Sequence, residues 1–81
     1  MVKVVLTLTA AGNYYVDKKK VAFGDVYPEL KSRLAENPKM VVVISCDKSQ
    51  SWVKGIELAD EAKRAGAELL TIATEPNQTQ S

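Results

Sequence analysis

Three adjacent residues could do chemistry together: Cys46, Asp47 and Lys48, within the stretch ISCDKSQSW, Ile44–Trp52. A thiol beside an ammonium group can be held as thiolate, and a carboxylate can serve as a general base. In a chain that alternates strands and helices, the segment after an apolar strand is also where ligands bind. The usual base for a cysteine nucleophile is histidine, and the 81-residue chain has none. Asp47 has no second carboxylate beside it, since Asp60 and Glu61 fall on the solvent side of a predicted helix. Phosphate binding fares no better, because DKSQSW has no glycine and the chain contains neither G-x-x-x-x-G-K-[ST] nor G-x-G-x-x-G. One cysteine without histidine also excludes a structural zinc, which needs about four nitrogen or sulfur ligands, and an internal disulfide.

These residues fit a structural joint better than an active site. Asp47 can accept hydrogen bonds from the turn, a serine can cap the following helix, and Trp52 is expected to cover the end of the sheet. Gly66 suits the residue after the helix. The joint is therefore read as Asp47, Lys48, Trp52 and Gly66, with Cys46 as core. No catalytic, cofactor-binding or metal-binding residue is expected.

The remaining charge is unremarkable. Net charge is +1, so no global field draws the chain to nucleic acid or an anionic membrane. Lys18–Lys20 read as a solvated turn that also discourages edge pairing. A stacking platform of these lysines with Tyr14 and Tyr15 would be the nucleic-acid alternative, and Asp17 weighs against it. The longest apolar run, Met40–Ile44, is too short to span a bilayer. The start, MVKVVLTLT, alternates like a strand and lacks a signal-peptide core. The chain as given is expected to be soluble.

The elements that position these residues follow from periodicity. Val2, Val4, Leu6 and Leu8 alternate with Lys3, Val5, Thr7 and Thr9, which predicts a strand. AAGN marks a turn, with Gly12 and Asn13 able to take positive φ, and YYVD returns as an antiparallel partner. KKK turns toward a short VAF strand. Asp25 is the predicted cap of a first helix with Pro28 in its first turn; Val26, Tyr27, Leu30 and Leu34 share its apolar face. Pro38 ends that helix region. MVVVIS is apolar on both faces and reads as an interior strand. A second helix runs from Ser49 or Ser51 to Ala65, with Trp52, Ile56, Ala59 and Ala62 as its apolar stripe. Gly55 on that stripe implies close approach of helix and sheet. AELLTIAT is the last strand.

The order β-β-(short β)-α-β-α-β predicts an α+β fold, a mixed sheet of four to five strands with two helices packed on one face. Residues 1–76 form one domain and 77–81 a disordered polar tail. One sheet face is left under-covered, and Val5, Tyr15, Val41, Val43, Leu70 and Ile72 are placed on it or near an open edge.

ISCDKSQSWVKGIELADEAKRAGAELLTIATEP resembles the C-terminal signature of the ExbD/TolR family of biopolymer-transport proteins. Asp47, Lys48, Trp52, Ala65, Gly66 and Glu75 match it without a gap. Upstream, LTLTAAGNYYVD resembles the first hairpin, and VAFGDVYPELKSRLAENP the first helix. Ser51, where proline is common, and Gly55 depart from the pattern.

The resemblance implies the periplasmic domain of a bacterial inner-membrane protein, with the membrane helix and its proton-carrying carboxylate outside this chain. It implies ExbB- or TolQ-like channel subunits and a TonB- or TolA-like transducer as partners, and no cofactor. The residues themselves favour a non-enzymatic module that associates through strands, including as a homodimer. Its partner edge is placed at Leu69, Leu70, Thr71, Ile72 and Thr74, or at the first hairpin. The alternative is a small-ligand-binding regulatory α/β module.

Overall fold

Alternation in KVVLTL decides the centre of the molecule. In the computed structural model, which describes residues 2–74, Val4, Leu6 and Leu8 are buried while Val5 and Thr7 are half-buried on the opposite face of β1 (Lys3–Leu8). Gly12 takes the positive φ of 91° that the following turn needs. Asn13 does not; it closes the turn through its backbone, its N–H donating to Thr9 Oγ1 and its carbonyl accepting from the Thr9 N–H.

The chain then returns as β2 (Tyr14–Val16) and β3 (Lys19–Val21). The tight turn between them is Asp17–Lys18, so of the three lysines expected to turn only Lys18 does, while Lys19 and Lys20 enter β3. Asp17 adopts a φ of 55°. Its backbone N–H donates to the Val5 carbonyl at 2.7 Å and its Oδ1 accepts from the Val5 N–H at 3.0 Å, so a side chain completes the ladder of β1.

The first helix, α1 (Phe23–Glu36), starts before the predicted Asp25 cap. Ala22 precedes it without a side-chain cap, Asp25 lies in its first turn and Pro28 inside it. Packing accounts for the earlier start, because Phe23 meets Tyr14 with ring centroids 5.3 Å apart and joins the core. Val26, Leu30 and Leu34 are buried, as their spacing requires. Arg33 bonds Asp17 at 2.7 Å and Glu29 bonds Lys19 at 3.0 Å, tying the helix to the β2–β3 turn.

β4 (Val41–Cys46) pairs parallel with β1 on one side and with β5 (Leu69–Thr74) on the other. The five strands therefore form one mixed sheet in the order β3-β2-β1-β4-β5. α2 (Trp52–Arg64) crosses from β4 to β5, packing on both strands and on α1. Both helices cover the face that carries Val4, Leu6, Leu8, Val16, Val42 and Ile44.

Register corrects the placement of two residues. Val42 pairs with Leu70 and Ile44 with Ile72. Paired residues share a face, so Leu70 and Ile72 point to the helix side. Leu69, Thr71 and Ala73 join Val5, Tyr15, Val41 and Val43 on the open side. Tyr14 and Tyr15 lie on opposite faces for the same reason, so they cannot form one stacking platform.

The apolar stripe of α2 also differs from expectation. Gly55, Leu58, Ala59 and Ala62 are buried, whereas Trp52 and Ile56 are exposed. Gly55 faces Cys46, yet an added Cβ would sit 3.8 Å from Cys46 Cβ and 3.9 Å from its Sγ, ordinary contact distances. The close approach is real but leaves room for a methyl group. Gly55→Ala should accordingly raise stability by about 1 kcal/mol through helix propensity. Urea unfolding checks this, and a loss of stability would show that the methyl strains the α2–β4 contact.

Candidate interaction surface

The segment between β4 and α2 is held by its own hydrogen bonds. Asp47 Oδ2 accepts from the Ser49 N–H at 2.9 Å and from the Ser49 hydroxyl at 2.5 Å. The Asp47 N–H donates to the Leu8 carbonyl, and Gln50 N–H to the Asp47 carbonyl. These bonds from Ser49, with Lys48 adding a smaller attraction, lower the Asp47 pKa from its ordinary value. Ser51 caps α2, its hydroxyl accepting from the Val53 N–H at 3.3 Å. Gln50 reaches across the pole of the molecule, its Nε2 donating to the Thr9 and Ala10 carbonyls at 3.0 and 3.1 Å. Nothing in the sequence pattern singled out Gln50, because its partners lie 41 and 40 residues away along the chain.

Gly66 closes α2 with a φ of 109°. Its N–H donates to the Lys63 carbonyl and the Ala67 N–H to the Ala62 carbonyl, the paired bonds of a Schellman motif. Cys46 is buried, and that burial, followed by the nearby Asp47 charge, raises its thiol pKa. A thiol held protonated in the core is a poor nucleophile. Lys48 is exposed and enters no side-chain hydrogen bond among the described residues.

Trp52 does not cover the sheet end. It stands 73% exposed at the first position of α2, with Ile56 39% exposed one turn on. α2 also packs on α1, where Arg64 lies 5.1 Å from the Tyr27 ring centre, and on β5. That strand is an edge of the sheet, and Leu69 and Ile72 on it are 45% and 50% exposed.

The two edges of the sheet contrast in charge. β3 carries Lys19 and Lys20, which guard it against pairing. LLTIAT carries no charge at all. β5 thus presents unpaired backbone donors and acceptors beside apolar side chains of its own strand. Sheet edges of this kind are open to strand addition.

A groove of about 760 Å³ opens elsewhere, between β3 and α1, lined by residues including Tyr14, Lys20, Phe23, Asp25 and Glu29. It is wide-mouthed, and its Lys19 is already paired with Glu29. The hydrogen bond from Lys19 holds the Glu29 pKa below its ordinary value. Among the described residues there is no cluster of potential metal ligands, and no helix is long and apolar enough to cross a membrane.

A mixed sheet with one layer of helices defines an α+β domain, and one of its edges is uncharged. The family model of the biopolymer transport protein ExbD/TolR matches residues 1–77, and the chain belongs to that family. It is a family of non-enzymatic, energy-transducing proteins associated with the inner membrane and with ExbB/TolQ and TonB/TolA systems. No curated protein matches the chain. The matched Glu75, and the tail expected at 77–81, lie outside the described residues.

Two measurements probe this region. A thiol reagent should modify Cys46 slowly in the folded chain and rapidly in denaturant; equal rates would contradict a buried, protonated thiol. For pH, both carboxylates titrate below their ordinary values of 4.5 for Glu29 and 3.8 for Asp47. Their contribution is fully present above those values and lost as pH falls through the lower folded ones. The urea midpoint should hold steady from pH 7 to about 5 and drop below about 4. The drop should be smaller in Glu29→Gln/Asp47→Asn, and an identical profile in that variant would contradict the assignment.

Proposed function

We propose that this chain is the periplasmic domain of an inner-membrane energy-transducing protein and that it acts by association. Proton flow through ExbB- or TolQ-like channel subunits moves the anchored protein, and the domain passes that movement toward a TonB- or TolA-like transducer. Residues 1–76 are the working unit and 77–81 a polar tail. Leu69, Leu70, Thr71, Ile72 and Thr74 form the partner edge. Asp47, Lys48 and Gly66 belong to the joint that fixes α2, whereas Trp52, by its exposure, belongs with the edge.

The observation that carries this reading is the contrast between β3 and β5: one edge is guarded by lysines, the other is uncharged and carries exposed Leu69 and Ile72. Family membership supports it, and the buried Cys46 offers no reactive thiolate in its place.

The experiment is in-cell photocrosslinking in the full-length protein, with the photoreactive residue placed at Trp52, Leu69 or Ile72 and, as control, at Lys20. Adducts to periplasmic segments should form at the first three positions, weakly at Lys20, and change in yield when a protonophore collapses the proton gradient. Adducts indifferent to the gradient, or loss of function in a folded Cys46→Ala variant, would sink the proposal.

A further inference from the structure

β3 ends the sheet on the side away from β5, and two charges beside it have no partner. The ion pairs of this corner are Lys19–Glu29, Arg33–Glu29 and Arg33–Asp17. They leave Lys20 and Asp25 unpaired among the described residues.

Register puts these two charges on opposite faces of the edge. Lys20 pairs with Tyr15 and shares the open face with it, whereas Lys19 pairs with Val16 and Val21 with Tyr14 on the helix side. Asp25 stands over the helix-side groove of about 760 Å³. One wall of that groove is a flank of α1, where Asp25, Pro28, Glu29 and Ser32 follow at spacings of three, one and three. Its floor is apolar: Tyr14, Val21 and Phe23, each half-buried against the core.

The backbone of β3 is also only half used. Val16 and Lys19 flank a two-residue turn and form a hydrogen-bonded pair, and such pairs alternate along an antiparallel ladder. Lys20 is then the residue whose N–H and carbonyl point away from β2, out of the sheet edge.

We infer that this edge and its groove are a second docking site, which takes an extended segment of another polypeptide in which an acidic residue stands next to a basic one. The site is separate from β5 and does not depend on the role proposed for that edge. A segment added outside β3 exchanges backbone hydrogen bonds with Lys20. Its side chain opposite Lys20 lies on the open face, where a carboxylate pairs with the ammonium. The neighbouring side chain, opposite Val21, alternates into the groove. A guanidinium or ammonium there meets the Asp25 carboxylate and lies over the Tyr14 or Phe23 ring. The other neighbour, opposite Lys19, faces a closed ion pair and takes an uncharged side chain.

Charge also decides what is refused. A second copy of β3 sets lysines against lysines, and an uncharged strand crowds the Lys20 ammonium and the Asp25 carboxylate without pairing either. The lysines that guard this edge against most strands therefore select one of matching charge. Backbone bonds supply the affinity, and the two unlike faces supply the specificity. A photoreactive residue in place of Lys20 removes the charge that holds the segment, so weak adducts at that position fit both edges.

The test titrates this 81-residue chain, isotope-labelled for NMR, with capped peptides of alternating Thr and Val that differ only in two central residues. The Glu–Arg peptide should shift the amide signals of residues 19–25 and of Ser32. It should bind about fivefold more tightly than the Gln–Gln peptide, with the difference shrinking as salt is raised. Lys20→Gln and Asp25→Asn alter exposed positions, so each should keep the circular dichroism of the wild type and weaken the Glu–Arg peptide by about twofold to threefold. Lys20→Glu should make the Arg–Arg peptide the preferred one, a gain that misfolding cannot mimic. Absence of binding, equal binding of the Glu–Arg and Gln–Gln peptides, or an unchanged preference in Lys20→Glu overturns the inference. Shifts confined to β5 overturn it as well, while leaving the coupling function above standing.

Discussion

Two helices cannot cover both faces of five strands. A sheet of five strands is about 24 Å wide and a helix with its side chains about 10–12 Å, so a pair covers one face with little to spare and leaves the other face open. Both helices lie on the side of Val4, Leu6, Val42 and Ile44, so those residues are buried while Val41 and Val43 remain half-buried. The same shortage is felt at the end of the row. β5 lies under the outer flank of α2, and Ile72 stays half exposed although it points to the helix side.

That geometry separates what holds the domain together from what it offers to others. The core is continuous and contains no buried polar side chain among the described residues. Polar bonding is kept to the perimeter. Asp17 completes the β1 ladder and anchors Arg33, Gln50 clasps the two loops at one pole, and Asp47 with Ser51 sets the start of α2. Surface ion pairs such as Lys39–Glu68 each contribute little, because exposed charges are well solvated. The bonds that define geometry are those made to backbone groups.

A domain with such a perimeter suits a role in which partners pull or press on it. Strand pairing supplies backbone hydrogen bonds along a whole edge, and flanking apolar side chains set which partner fits. The stretch beside Cys46, which reads at first like a reactive loop, fixes the direction in which α2 leaves the sheet. That direction decides where Trp52 points.

Local rules made much of this legible in the sequence. Period-two alternation gave β1, and Leu30 and Leu34 fell at helical spacing. Gly12 and Gly66 sat where positive φ is needed, and Ser51 stood at a cap. Each depends on neighbours a few residues away. Where expectation and structure differ, the cause is non-local. Helical spacing puts Trp52 and Ile56 on one apolar stripe with Ala59 and Ala62 but does not say that both stay exposed, and alternation alone does not say that Leu70 and Ile72, on the edge strand, turn to the helix side.

What the residues alone determined, then, is the set and order of elements, the inert setting of Cys46 and the lysine-guarded edge. Tertiary structure alone decided which of two stripes on α2 turned inward, which face of β5 met the helices, and that Gln50 would span the pole. Those choices depend on register and packing between segments far apart in the chain, where a shift of one residue reverses every side chain on a strand.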